Sequence, residues 1–333
     1  MLSRTSLTPT INKMCQKEKC YVGFDTSNYT TSAAICDSNG KIIANLKLPL
    51  PVKEGERGLR QSDAVFAHVK NLPIISNRLG EVLEGYEAVA VGVSATPRAV
   101  EGSYMPCFLA GKVAAHSFAA ANRLPIYETA HQNGHIVAAM YSAGAEKRLS
   151  EGRFLAFHVS GGTTEALLVT PDDIDLDIKL VGETKDINAG QAIDRIGVMM
   201  GLSFPCGKEL ELLAAAYNGR LQRRPVSVND GSCSLSGVEN IAERIYKDCG
   251  DKEQTAAFVF DFICRTLIKM AEQLMEKYGN MPVLFAGGVM SNKLMRAELS
   301  KRFEAYFAEP EFSADNASGV ALICRRRSLK EEK

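Results

Sequence analysis

The sequence predicts a duplicated α/β fold in which two similar halves enclose a cleft, and three observations carry that prediction. The segment YVGFDTSNYTTSAAICD, 21–37, reads as a short buried strand, a Thr/Ser/Asn turn and a second strand, the pattern of a tight hairpin. FLAFHVSGGTTEALLVT, 154–170, repeats the plan with Gly161 and Gly162 in the turn. Each hairpin is followed by helical segments, including 104–122 in the first half and 255–278 in the second. In the latter, Phe260, Ile263, Cys264, Leu267, Met270, Ala271 and Leu274 recur at spacings of three and four, the stripe of a core-facing helix. A repeated unit of this kind leaves a cleft between its copies, and clefts between lobes bind ligands. The expected organisation is a disordered tail at 1–19, an N-terminal lobe at 20–150 and a C-terminal lobe at 151–333.

Bulk properties narrow the function classes. A chain of 333 residues with 46% hydrophobic content forms a substantial core. Its 39 basic residues equal its 39 acidic ones, so no global field draws it onto nucleic acid or an anionic membrane. The nine cysteines are scattered, never in a C-x-x-C pair, and read as reduced thiols of a cytoplasmic protein. The opening MLSRTSLTPTINKMCQKEKC is polar and basic and lacks the apolar run of a secretory signal, which fits a tail or a start upstream of Met14. Lys112 and His116 interrupt the best apolar run, so no membrane span is expected.

Two loops suit a nucleotide. HVSGGTTE, 158–165, sets Ser160, Gly161, Gly162, Thr163 and Thr164 between apolar strands, where glycine admits close backbone approach to phosphate and the hydroxyls add donors. VLFAGGVMSNKLMRAEL, 283–299, runs a strand into Gly287 and Gly288 and then a helix start. Either loop alone fits a structural turn; one in each expected position points to a ligand. The chain has no G-x-G-x-x-G at these loops and no G-x-x-x-x-G-K-[ST], which disfavours the Rossmann and P-loop classes.

HQNGHIVAAM, 131–140, spends two of five histidines at the head of a helix-period segment. At i and i+4, His131 and His135 share one helix face and can share one ion, although an ordinary structural role for both stays open. Gln132 stands where an H-E-x-x-H protease carries its glutamate base, so the protease reading lacks that group. Asp315, in FSADNASG after an apolar strand, is a candidate third ligand for iron or zinc.

Taken in order, VGFDTSNYTTSAA, AVGVSATPRAVEGS, HQNGH, HVSGGTTE, GETKDINAGQAIDRIGVMMGLSFPCG, SLSGVEN, LFAGGVMSN and SADNAS resemble the universal tRNA threonylcarbamoyladenosine synthases, formerly described as O-sialoglycoprotein endopeptidases, over about 20–323. The resemblance implies the actin-like and sugar-kinase-like ATPase fold, two RNase H-like lobes around a cleft. It implies transfer of a threonylcarbamoyl group from threonylcarbamoyl-adenylate to N6 of the adenosine beside the tRNA anticodon. By that likeness His131, His135 and Asp315 hold one divalent metal, and His158, Val159, Ser160, Gly161 and Gly162 line the phosphates and metal. Asp194, Gly207 and Glu211 meet the ribose, Asn292 meets the adenine nucleotide, whether adenylate donor or ATP, and Asp25 is the candidate catalytic acid group.

The sequence departs from the family in its first turn, where Tyr29 and Thr30 stand in place of two acids, and at His158, where a tyrosine is common. A second reading therefore stays open, a paralogue that binds nucleotide and metal and acts as a partner or regulator. With tRNA as substrate, neutral charge implies that partner subunits, in a hetero- or homo-oligomer, supply much of the phosphate contact.

Overall fold

The computed structural model describes residues 17–27, 29–51, 59–172, 175–313 and 316–332. Residues 1–16 of the expected tail lie outside these, and Lys17 leads directly into the first strand. The first half runs β1 (Glu18–Asp25), β2 (Thr30–Asp37), β3 (Ile42–Pro49), α1 (Gln61–Leu83), β4 (Tyr86–Thr96), α2 (Phe108–Asn122) and β5 (Ile126–Ala130), followed by α3 (His131–Ser142) and the short α4 (Glu146–Leu149). The second runs β6 (Phe154–Val159), β7 (Thr164–Pro171), β8 (Leu176–Glu183), α5 (Ala189–Met199) and α6 (Gly207–Ala216). A small hairpin of β9 (Ser227–Asn229) and β10 (Ser232–Ser234) precedes α7 (Ser236–Cys249), α8 (Lys252–Tyr278) and β11 (Val283–Ala286). A 3-10 turn (Gly288–Ser291), α9 (Lys293–Arg302), β12 (Ala305–Phe307), α10 (Pro310–Ser313) and α11 (Ser318–Glu331) complete the chain.

The two large sheets share one topology. In each, an antiparallel meander of three strands is extended on the side of its first strand by two parallel strands, giving the orders β3-β2-β1-β4-β5 and β8-β7-β6-β11-β12. Both predicted hairpins form: Asp25 pairs with Ser32 at the first turn, and Val159 with Thr164 at the second. This is the duplicated fold with two lobes and a cleft that the sequence predicts.

The predicted stripe of α8 is buried in the outer core of the second lobe. The predicted helix at 104–122 begins only at Phe108. Met105 precedes Pro106, whose ring disfavours helical geometry in its neighbour, and a turn bonded from Phe108 N–H to Met105 O takes the chain into α2.

A further core lies between the lobes, where α3 and α11 pack between the facing sides of the sheets. The last helix thus returns to the first sheet although it follows the second in sequence. Its approach is close: a Cβ added at Gly319 would strike the carbonyl oxygen of Gly134 on α3, and one at Gly23 on β1 would meet Ala321 N at 2.5 Å. No helix of the described residues is long and apolar enough to cross a membrane.

Candidate active site between the lobes

α3 starts where the parallel strand β5 ends, so its first residue projects from the carboxyl edge of the sheet, the edge at which α/β sheets bind ligands. That residue is His131. Its Nδ1 lies 2.7 Å from Asp25 Oδ2, at the carboxyl end of β1. Asp25 is fully buried and also accepts hydrogen bonds from Ser94 Oγ at 2.6 Å and Ser27 N–H at 2.8 Å. Burial pushes the Asp25 carboxyl up, but the neighbouring His131 imidazole and the hydrogen bonds from His131, Ser27 and Ser94 outweigh it and hold the group below the usual carboxylate range. An ionised carboxylate only accepts, so His131 Nδ1 carries the proton and Nε2 is the nitrogen turned toward chemistry.

One turn on, the His135 ring lies 4.2 Å from that of His131, and the His158 ring on β6 lies 5.9 Å from that of His135. Three of the chain's five imidazoles thus meet, two from the first lobe and one from the second. This donor chemistry suits a borderline divalent metal. Among the described residues no three His, Cys, Asp or Glu side chains stand at ligating distances. Asp315 lies outside the described residues; the expected apolar strand precedes it as β12, with the short helix α10 between them.

His158 leads into the glycine turn. Gly162 and Thr163 donate their N–H groups to Ser160 Oγ, and Gly190 N–H, at the start of α5, donates to Ser160 O at 3.1 Å. Gly190 must be glycine for α5 to sit here, since a Cβ would meet Gly161 N at 2.6 Å. Gly287, at φ 99, adopts the left-handed region, and a Cβ there would strike Val159 O, so the two glycine loops pack directly on one another. Val159 itself is buried in the core.

The remaining predicted residues gather beside these loops. Asp194 on α5 accepts from Cys206 N–H at 2.8 Å, which fixes the turn into α6 just before Gly207. Glu211, one turn into α6, accepts from Lys293 N–H at 2.7 Å, and the buried Asn292 caps α9 by accepting from Met295 N–H at 2.9 Å. α5, α6 and α9 are thereby tied into one group.

A cleft of about 930 Å³ is lined by His131, His135, His158, Ser160, Gly162 and Gly288. Asp25, Val159, Gly161, Asp194, Gly207, Glu211 and Asn292 are not among its lining residues, so the described part of the predicted set divides into a cleft group and a flanking group. The lining also includes Tyr29, Thr30, Arg98, Gln132, Glu165, Glu183 and Asp186, several of which the sequence motifs contained without marking. Burial pushes the Glu165 carboxyl up, against the opposing pull of Arg98. A charged residue just after a strand end, for Arg98, and one at the start of an otherwise apolar strand, for Glu165, were the available signals.

The profile of the tRNA N6-adenosine threonylcarbamoyltransferase family matches residues 64–322. Among solved structures, HypF from T. kodakarensis aligns at a TM-score of 0.62 and 12% identity, covering 94% of this chain and 48% of that one. A full-length HypF in its phosphate- and nucleotide-bound form aligns at 0.57 and 13% identity, over 96% of this chain and 57% of that one. Component A of the (R)-2-hydroxyglutaryl-CoA dehydratase from Acidaminococcus fermentans aligns at 0.51 and 13%, over 93% and 99%. The chain therefore spans about half the length of the HypF chains it resembles, and at these identities the likeness establishes the fold alone, two α/β lobes of like topology around a cleft.

Proposed function

This chain belongs to the tRNA N6-adenosine threonylcarbamoyltransferase family, and from that premise we propose that it transfers a threonylcarbamoyl group from threonylcarbamoyl-adenylate to N6 of the adenosine beside the tRNA anticodon. The observation that carries the reading is the convergence, on one cleft, of His131 and His135 from the first lobe with His158 and the Ser160–Gly162 turn from the second.

In this reading His131, His135 and His158, with Asp315, hold one divalent metal, iron or zinc. When bound, such an ion polarises a carbonyl or phosphate oxygen of the donor. Asp25 acts through His131: buried behind the ring, it fixes the tautomer and aims Nε2, so its role is positioning rather than the direct acid function expected from sequence. Val159 to Gly162 approach the donor phosphate through backbone and hydroxyl groups. Asp194 and Glu211 each accept one side-chain hydrogen bond from a backbone N–H within the fold, and as carboxylates they accept ribose hydroxyls as well. Gly207 leaves room for the ribose, and Asn292, buried at the start of α9, holds the helix N-terminus that meets the nucleotide. An exocyclic amine is a weak nucleophile, so holding donor and acceptor in register between two lobes supplies much of the rate. The acceptor is tRNA, delivered with partner subunits in a hetero- or homo-oligomer in the cytoplasm.

One observation favours the second reading, the non-catalytic partner or regulator. The first turn presents Tyr29 and Thr30 to the cleft, and neither carries a carboxyl group. The deciding experiment incubates the purified chain with donor, unmodified tRNA and the family's partner subunits. Formation of the modified nucleoside, lost in His131→Ala, supports the transferase. Tight adenylate binding with no modification moves the assignment to the partner.

A further inference from the structure

Arg98 and Glu165 meet across the cleft. Arg98 follows β4 of the first lobe, whereas Glu165 is the second residue of β7 in the second lobe. Arg98 Nη2 stands 3.6 Å from Glu165 Oε2, with 51% of the arginine side chain exposed and 12% of the glutamate side chain. The arginine's backbone is fixed beside the histidines. Its N–H donates to Ser103 Oγ at 3.0 Å, Thr96 Oγ donates to its carbonyl at 3.1 Å, and Gln132 N–H donates to Pro97 O at 3.1 Å. Glu165 lies opposite His158 in the register of β6 and β7, and opposite Glu183 in that of β7 and β8.

Among the described residues that line the cleft, Arg98 is the only arginine or lysine, whereas Glu165, Glu183 and Asp186 bring carboxylates. Apart from the three histidines, a doubly anionic ligand therefore meets one cationic side chain in a cleft that also carries three carboxylates. The glycine turn, whose Ser160 hydroxyl keeps its proton to donate while accepting from Gly162 and Thr163 N–H, suits a phosphate, which leaves the guanidinium for a second anionic group. Its present partner is easily displaced: the contact with Glu165 is single, long and half-exposed, a geometry that contributes little. A ligand carboxylate that engages both guanidinium edges makes two short, charge-assisted bonds instead.

We propose that Arg98 is the receptor for the free carboxylate on the amino-acid part of the donor, and that Glu165 keeps the guanidinium in place until the donor takes it over. This assignment rests on the transferase reading and makes Arg98 a specificity residue of that site.

The test uses the full chain and three probes: AMP, a non-hydrolysable threonylcarbamoyl-adenylate analogue with its free carboxylate, and the same analogue with a carboxamide there. By calorimetry the wild type binds the carboxylate form roughly tenfold more tightly than the carboxamide. Arg98→Ala removes that preference, Arg98→Lys restores part of it, and Glu165→Gln widens it because the competing carboxylate is gone. A preference that survives Arg98→Ala overturns the proposal, as does an Arg98→Ala effect confined to tRNA affinity, which would assign the guanidinium to an RNA phosphate. Failure of the transferase reading has its own signature: neither analogue binds better than AMP in any variant, no modified nucleoside forms, and the proposal falls with it.

Discussion

Asp186 shows how a single carboxylate organises the rim of the cleft. Its oxygens accept hydrogen bonds from Leu235 N–H at 2.7 Å, Ser236 N–H at 3.0 Å and Ser236 Oγ at 2.6 Å, which seats the start of α7 against the segment after β8. Burial pushes this carboxyl up, but the bonds from Ser236, Leu235 and Ile187 prevail and hold it below its ordinary value. A depressed carboxyl stabilises the fold fully above the unfolded-state value, about 3.9, and loses that contribution as pH falls through the folded-state value. Asp186→Asn should therefore lower the melting temperature near neutrality, and the gap from wild type should close as pH drops below about 4. Melting curves across pH check this, and a gap of constant size would contradict it. Asp25 obeys the same logic at the centre of the site, where its hydrogen bonds to His131, Ser27 and Ser94 set a ring rather than a helix start.

At the scale of elements, α3 is the part whose placement decides the site, because it carries two histidines and packs in the core between the sheets. Asn133, buried between them in sequence, donates to Asp175 Oδ1 at 2.6 Å and Leu176 O at 2.9 Å, which ties the helix to the second lobe. Gly319 sets its distance from α11, since an added methyl would meet the backbone at Gly134 and Ala138. Backbone cannot yield as a flexible side chain does. Gly319→Ala should destabilise the protein by at least about 2 kcal/mol, the scale of overpacking in a tight core. Denaturant unfolding measures this, and a change within about 0.5 kcal/mol, the usual range for a surface substitution, would show that the helices separate freely.

Both hairpins and the α8 stripe were legible in the sequence because their signals are local, a period of two or of three to four read within one segment. The spacing of His131 and His135 was legible for the same reason. The contact between Asp25 and His131 spans 106 residues and follows from β1 and β5 lying on either side of β4. Arg98 and Glu165 meet only because two sheets face each other, and the return of α11 to the first sheet leaves no local mark.

For the whole molecule, the balance of 39 basic and 39 acidic residues separates a site for donor chemistry from a surface for RNA. Phosphate neutralisation by lysine and arginine dominates nucleic-acid affinity and gives it a steep salt dependence. The isolated chain should bind tRNA weakly, with affinity falling sharply as salt rises, and partner subunits should restore tight binding. Filter binding or anisotropy over a salt series measures this; nanomolar affinity of the isolated chain at physiological salt would contradict it. The central claim is that the lobes build one site for metal and nucleotide, and its most direct test is metal content and adenylate affinity in wild type, His131→Ala and His158→Ala. The two substitutions remove one imidazole from each lobe. Stoichiometric metal in the wild type, lost in both variants together with weakened adenylate binding, is the predicted result. Metal and nucleotide binding that survive His158→Ala unchanged would contradict a site shared between the lobes.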